Sequence, residues 1–427
     1  MDLCKTIMKK KIKHRKNLNQ SKICWACSLF FWQLIKGLIH KIMNFKINKM
    51  IDTVILTIPR DKIKKLDNTQ GFYPEWTLKN KAKGYEIWIK NMPKIKGEIG
   101  PYYPRLTGYK RGSQKDNIIP MVNIEFSIPK LIYSNNLDEV EERDFPIIID
   151  SLHRRLSEMG EIIFKTDLEN ANISAFHPSK NIVLSDGYTA YSVIKELSKI
   201  NLTKKLELTK VNYKNDGNAI QMYAINHSIV YYDKIADLNQ NQKKAVDQDQ
   251  TPQQFSLFEE IKDKQPKLEI LRMEVRFSKK QKMNSIMQEL SFQKNPTFKD
   301  IFKKDVCQKI VRWYWDTIVK GENLFLFELL NTPKQKYKDI LRANEKMKVK
   351  QAIYLVGLDV LCKDGGGIRE FRSLTEKRIK QRNWYRISDG IKKLNKLAEK
   401  QPLHSWVKQI DDAIKEFKPL KELDVIP

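Results

Sequence analysis

The sequence predicts an α+β chain: a mainly antiparallel-sheet domain over residues 50–277, then an all-helical domain over residues 278–427. Three observations lead there. Before residue 278, strand-like runs with two-residue alternation outnumber helical ones, and their connections are not regular βαβ units. After residue 278 the apolar residues recur at helical spacing throughout. Between two of the strands, residues 235–267 are rich in Gln, Asp and Lys, the composition of a loop within a domain, although the first few could continue as a short helix.

The elements follow in order. Residues 52–58 alternate Val54, Leu56 and Ile58 with Thr53, Ile55 and Thr57, a first strand. Residues 66–115 are rich in Gly, Pro, Lys and Tyr, which predicts short strands and turns, and 119–126 (IPMVNIEF) predicts another strand. Residues 144–159 predict a helix: Asp144 as its cap, Pro146 in its first turn, Gly160 at its end, and Ile148, Ile149, Leu152, Leu156 and Met159 as its apolar stripe. Strand-like stretches follow at 161–164, 171–176 and 206–212, with a helix at 188–200, and then at 218–225, 228–234 and 268–277. Helices are expected at 278–291, 298–319, 322–330, 334–344, 347–363, 368–381, 384–399 and 403–416. Asp364-Gly-Gly-Gly367 is a turn and not a phosphate loop, because no Gly-Lys-Ser/Thr follows it. The helix after it carries Arg369, Arg372 and Arg378, with Arg382 just beyond. A glycine turn between two short helices, the second basic, permits a helix-turn-helix-like DNA contact; a solvated basic face is the other reading.

Composition narrows the partners. The 427 residues carry a formal charge of +28 and a pI near 9.6. Charge of that size points to a polyanion, nucleic acid above all, although a lysine-rich proteome with solvated basic faces gives the same count. Residues 1–49 hold twelve lysines and arginines against Asp2 alone, a net +11, which leaves +17 for the remainder. Within that leader, 23–35 (ICWACSLFFWQLI) is shorter than the roughly 20 apolar residues that span a bilayer. It is read as an upstream segment preceding a start at Met50, with a signal peptide and an amphipathic surface helix as alternatives. Cys4, Cys24, Cys27, Cys307 and Cys362 are too few and odd in number for a disulfide framework and fit a reducing cytoplasm.

The chemistry concentrates in two strands. In Ser228-Ile-Val-Tyr-Tyr-Asp-Lys234, Tyr232 and Lys234 share one face, and Tyr231 and Asp233 the other. In Leu271-Arg-Met-Glu-Val-Arg-Phe277, the apolar residues make one face, while Arg272, Glu274 and Arg276 line the opposite one. Together the strands offer a tyrosine, a lysine, a carboxylate and two arginines to one cleft. Those groups suit scission of a phosphodiester through a phosphotyrosine, because phenol, with a pKa of about 10, is a competent leaving group when the link is reversed. A divalent cation would polarise the phosphate. None of the six histidines forms a His-hydrophobic-His pair, so a metal would rest on carboxylates: Glu274 first, with Asp167 and Glu169 from the preceding half and His177 and His227 as auxiliaries. The plainer readings are a packing tyrosine and a structural Arg-Glu-Arg ladder.

Several segments together resemble the gene II/gene X replication initiators of filamentous phages and related plasmids. They are Met50-Ile-Asp-Thr-Val-Ile-Leu-Thr-Ile-Pro59, Ile128-Pro-Lys-Leu-Ile-Tyr133 with Asn135-Asn136, Ser174-Ala175 with Pro178 and Asn181-Ile182, Val230-x-Tyr232-x-Lys234 and Arg272-x-Glu274-x-Arg276. The resemblance covers roughly residues 50–277 and, more weakly, the helical part to about 400. It implies an HUH-like nicking domain and a site-specific nicking-joining enzyme that starts rolling-circle replication and later circularises the displaced strand. It further implies Tyr232 as nucleophile, Lys234, Arg272 and Arg276 as phosphate contacts, Glu274 as an acidic ligand and Mg²⁺ or Mn²⁺ as cofactor. The substrate would be origin DNA, supercoiled and single-stranded, in a bacterial cytoplasm, with no membrane required. One departure stands out: Asn170 occupies the position where relatives usually show an aspartate, so the second ligand is Asn170, Asp167 or Glu169. No Walker motif is present, so a host helicase would unwind and a host polymerase would copy. A non-catalytic origin-binding regulator on the same fold is the alternative. An RNA-binding protein lacks the aromatic strand motif and the RGG-like tract such proteins use.

Overall fold

A computed structural model describes residues 51–67, 73–82, 85–93, 100–111, 120–200, 211–238, 267–303, 305–329 and 332–421. The expectations for the leader, for the strand at 206–210 and for the loop at 239–266 lie outside the described residues.

Two-residue alternation builds the sheet. Its strands are β1 (Ile51–Pro59), with β2 (Lys64–Lys65) set apart, β3 (Thr77–Ala82), β4 (Tyr85–Lys90), β5 (Arg105–Arg111) and β6 (Met121–Ser127). After β7 (Glu161–Ile162), also apart, come β8 (Asn172–Val183), β9 (Val211–Lys214), β10 (Ala219–Tyr223), β11 (His227–Asp233) and β12 (Ile270–Phe277). Ten of them join in the order β3-β4-β5-β6-β1-β8-β12-β11-β10-β9, and β2 pairs with β7. Every pairing is antiparallel. The apolar face presents Val54, Leu56, Phe126, Ile229, Tyr231, Met273 and Val275, all buried.

Strand β8 joins the two halves of the sheet. Its residues 172–178 pair with β1, and its residues 179–183 pair with β12 on the other edge. The early part of that second edge is satisfied elsewhere: the Ile173 amide donates to Pro296 O at 3.2 Å, and the Phe298 amide to Ala171 O at 2.9 Å.

The helices are α1 (Ile128–Tyr133), α2 (Phe145–Glu158), α3 (Lys165–Glu169), α4 (Ala190–Leu197), α5 (Lys234–Leu238), α6 (Lys280–Glu289), α7 (Phe298–Ile301) and α8 (Val306–Tyr314). Then come α9 (Pro333–Ala343), α10 (Val349–Lys363), α11 (Gly367–Glu376), α12 (Gln381–Ala398) and α13 (Ser405–Glu416). The sheet and the helices share one hydrophobic core, in which Phe126 and Phe277 of the sheet are continuous with Phe298, Trp315 and Trp406. Among the described residues no helix is long and apolar enough to cross a membrane.

Several local expectations are corrected. Asp144 holds the N-cap position of α2, but its side chain makes no cap bond to the helix. Its carboxylate accepts from the Glu141 amide at 2.7 Å and the Tyr133 hydroxyl at 2.5 Å, closing the turn before the helix. The helix expected at 322–330 is not formed over the described residues 322–329: a 3₁₀ turn at 324–327 buries Phe325, Leu326 and Phe327 together, and Glu328 bridges to Leu403. The long helix expected at 298–319 is α7, then α8 continuing into a π turn at 315–320. The Asp364–Gly367 turn is fixed by close approach. Gly367 has φ +72, and a Cβ there would lie 2.5 Å from the Lys199 carbonyl oxygen, which accepts from the Ile368 amide. The glycine thus seats the start of α11 on the chain that follows α4.

Under β2 and β7, the buried Glu161 carboxylate collects Lys90 Nζ at 2.8 Å, Trp76 Nε1 at 2.8 Å and Arg60 Nη1 at 3.2 Å. Lys90 is itself 5% exposed, so neither partner has water to fall back on. Replacing Glu161 by Ala leaves a buried ammonium uncompensated. The variant is expected to lose about 3–5 kcal/mol of unfolding free energy, measured by urea denaturation.

Candidate active site

The strongest convergence of reactive groups lies on the polar face of the sheet, across β8, β12 and β11. The register sets Tyr232 opposite Arg272, Val230 opposite Glu274 and Ser228 opposite Arg276. It also sets Arg272 opposite Asn181 and Glu274 opposite Ser179. Alternation therefore brings Tyr232, Arg272, Glu274 and Arg276 to one face beside the odd-numbered residues of β8, as expected. Tyr231 takes the other face, fully buried, with its hydroxyl on Met273 Sδ at 3.5 Å.

Glu274 is the hub. Its carboxylate is 1% exposed and receives Arg276 in two-pronged fashion, Nε to Oε1 at 2.8 Å and Nη2 to Oε2 at 3.1 Å. His177 Nδ1 lies 3.3 Å from Oε1, and the Tyr232 hydroxyl donates to Oε2 at a long 3.4 Å. Burial alone would push this carboxyl up. The Arg276 charge and the hydrogen bonds from His177 and Arg276 overcome that and hold it well below the usual carboxylate range. Tyr232, 8% exposed, goes the other way: burial and the nearby Glu274 charge raise its phenol well above 10, against the opposing pull of Arg272. A neutral phenol thus faces an ionised carboxylate.

The flanking cations differ. Arg276 keeps 36% of its side chain exposed. Arg272, expected as a phosphate contact, is 2% exposed and held by both terminal nitrogens: Nη2 on Ser179 Oγ at 2.9 Å and Asp52 Oδ1 at 3.4 Å, Nη1 on Asn136 O at 3.2 Å, while its buried Nε has no partner among the described residues. In this arrangement it is a tie across β8 rather than a hand extended to a ligand. Lys234 is not the last residue of the strand as expected; it opens α5, because the Asp233 carboxylate accepts from the Ile235 and Ala236 amides, both at 2.9 Å, and turns the chain. Its ammonium still lies over the Tyr232 ring, 5.6 Å from the centroid, and 3.3 Å from Asp237. Burial lowers Lys234 to about 8.

Two expected metal ligands are elsewhere. Asp167 sits on α3 and pairs with Lys62 at 2.6 Å, and the Asn170 amide group closes α3 on Thr166 O at 2.8 Å. Both precede Asn172, the first residue of β8, whereas Glu274 pairs with Ser179; at about 3.3 Å per residue the strand separates them by ~23 Å. Among the described residues no group of three His, Cys, Asp or Glu could hold a metal ion. Glu274 and His177 alone meet here, with Arg276 already on the carboxylate, so the side chains as arranged do not fit the expected divalent cation. His227 is remote in role: buried at the start of β11 against Tyr314, it is pushed down to about 4 by burial and by Lys282. Sequence reasoning missed Asp52, Ser179 and Asp237. The one available signal was Asp52, a lone carboxylate opening an apolar strand.

The expected basic helix also resolves into distinct parts. Arg372 pairs with Glu376 and stacks on Trp384, 5.1 Å from the ring centroid. Arg369 is half-buried, whereas Arg378, after α11, and Arg382, on α12, are exposed. No family model, curated protein or solved structure matches the chain.

Glu274 has a pH signature. Its folded pKa lies below the unfolded value of 4.5, so its contribution is fully present above about 4.5 and fades as pH falls through the folded value. Glu274→Gln is expected to cost about 1–3 kcal/mol in urea unfolding at pH 7, with the gap to wild type narrowing on acidification below pH 4.

Proposed function

We propose that this chain is a site-specific DNA nicking-joining enzyme with an HUH-like sheet, which initiates rolling-circle replication of a phage or plasmid. The observation that carries the reading is the meeting of the Tyr232 hydroxyl and the ionised Glu274 carboxylate, 3.4 Å apart, beside a partly exposed arginine. A base within reach of a nucleophile and a cation beside both are what in-line phosphoryl transfer needs, and such contacts are commonly long before substrate binds.

In this reading a scissile phosphate takes Arg276 away from Glu274, exchanging one bidentate oxyanion partner for another. The freed carboxylate accepts the Tyr232 proton. The phenolic oxygen attacks phosphorus, a P–O bond to tyrosine forms, and the P–O3′ bond breaks. The departing O3′ takes up a proton, leaving a 3′-hydroxyl and a 5′-phosphotyrosine. Attack by a 3′-hydroxyl reverses the sequence and joins the strand. Lys234 buttresses the tyrosine ring from behind. The resemblance implies Mg²⁺ or Mn²⁺, but the side chains do not fit one as arranged, so no step here is routed through it. Arg378 and Arg382 would contact flanking origin DNA, with a host helicase and polymerase acting downstream in a bacterial cytoplasm.

The second reading, an origin-binding regulator without catalysis, is favoured by the burial of Tyr232 and its raised phenol. Supercoiled circles bearing the cognate origin separate the two when incubated with Mg²⁺, with Mn²⁺ and with EDTA. The nicking reading expects nicked circles with a protein-linked 5′ end, and a loss of at least about 1,000-fold for Tyr232→Phe. Nicking by the variant at the wild-type rate removes Tyr232 as nucleophile. Binding without nicking under all three conditions leaves the regulator.

A further inference from the structure

Helix α10 is apolar on two sides, and among the described residues only one of them is fully covered. Ala352, Leu355, Leu358 and Cys362 pack into the helical core. On the opposite side Ile353 is 59% exposed, Leu361 53%, Val360 44% and Tyr354 45%, the last with one edge of its ring against Gly390 of α12. A helix that is hydrophobic all round is normally buried all round.

At the centre of the uncovered side stands Gly357. Glycine is the poorest helix former after proline, so one in mid-helix calls for a packing reason. Among the described residues nothing supplies it: a Cβ at Gly357 would have no neighbour within 4 Å. A glycine there leaves room for a close approach from outside.

The residues around Gly357 are arranged symmetrically. At 100° per residue, Ile353 and Leu361 flank it four positions away, and Tyr354 and Val360 three positions away. Seven positions away on the same face stand a lysine, Lys350, and an aspartate, Asp364, both exposed. We propose that α10 is the self-complementary interface of a homodimer, two copies crossing antiparallel at Gly357. A two-fold axis through that point sets Ile353 against Leu361 of the second copy and Tyr354 against Val360. Lys350 of each then meets Asp364 of the other, twice by symmetry. One patch serving as its own complement is the requirement of a two-fold interface. An unrelated partner would need neither the palindromic spacing nor the opposite charges at its two ends. The inference stands independently of the nicking reading.

The mass of the full 427-residue chain in solution, by sedimentation velocity across a concentration series, tests it. The expected mass is twice 50.4 kDa. Lys350→Asp and Asp364→Lys each set like charges together twice, and each is expected to weaken the dimer about tenfold or more. The two changes combined restore opposite pairing and are expected to restore the dimer. Gly357→Leu, which meets open space among the described residues, is expected to give a folded monomer with the wild-type circular-dichroism spectrum. The proposal is overturned by a wild type that stays monomeric at high micromolar concentration. It is equally overturned by a dimer that survives Gly357→Leu, or by a double charge reversal no better than the singles.

Discussion

The sheet depends on a change of partner along a single strand. β8 pairs with β1 up to Pro178 and with β12 from Ser179 onward. Where β1 stops, the edge of β8 that it covered would lie open, and an unpaired backbone amide in a buried setting is costly. The chain closes it with side chains. The Asn181 amide donates to Glu139 Oε1 at 2.6 Å, and the Asn181 side chain donates to Leu137 O at 2.9 Å. Glu139 then pairs with Lys180 at 2.9 Å and accepts from the Leu420 amide at 2.8 Å. The loop after α1 and the residues after α13 are both drawn to this point. The candidate site thus sits where two half-sheets meet, and the last described residues of the chain help to hold it.

The same step in the sheet explains the buried charges. Arg272 lies on the first strand past the change of partner, and its guanidinium spans β8 to reach Asp52 at the start of β1. A buried ion pair is weak evidence for stability, because desolvation cancels much of the attraction. It does, however, fix geometry. A one-residue slip of β12 would turn Arg272, Glu274 and Arg276 into the apolar core, so these charges enforce the register that aligns Tyr232 with Glu274. The pairing with least burial is the one between Glu274 and Arg276, because the arginine retains exposed surface. It is the element of the cluster best able to exchange its partner for an incoming anion.

What the sequence made legible was set by local period. Alternation alone separates Tyr231 from Tyr232 and groups Arg272, Glu274 and Arg276, because a strand's faces follow from counting by two. Lys234 failed by one residue: an aspartate immediately before it turned the strand into a helix, a local rule that was visible in Asp233 and went unused. Asp167 and Asn170 failed for a different reason. Nearness along the chain to a family-like segment says nothing of where on a twelve-residue strand the partner falls. Asp52 stood out as a lone carboxylate opening an apolar strand, but its partner was not legible, because Arg272 reaches it across an intervening strand. Residues 322–330 looked helical because their apolar residues are dense, and density does not distinguish a helix from a turn that buries three of them in succession.

Burial of Tyr232 and its reactivity pull against each other. A phenol in contact with a carboxylate and buried from water resists ionisation, which under the proposed nicking reading would withhold the nucleophile until substrate arrives. The two are reconciled if proton transfer waits on substrate. While Arg276 holds Glu274, the carboxylate is too weak a base to take the phenol proton. An anion that draws Arg276 away removes the larger of the two partners that depress Glu274, leaving His177 alone against the effect of burial, so the basicity of the carboxylate rises. The same displacement sets a cation beside the phosphate. One exchange of partners would therefore prepare base and electrophile together, and the energetic cost of a buried ion pair becomes a means of coupling binding to activation.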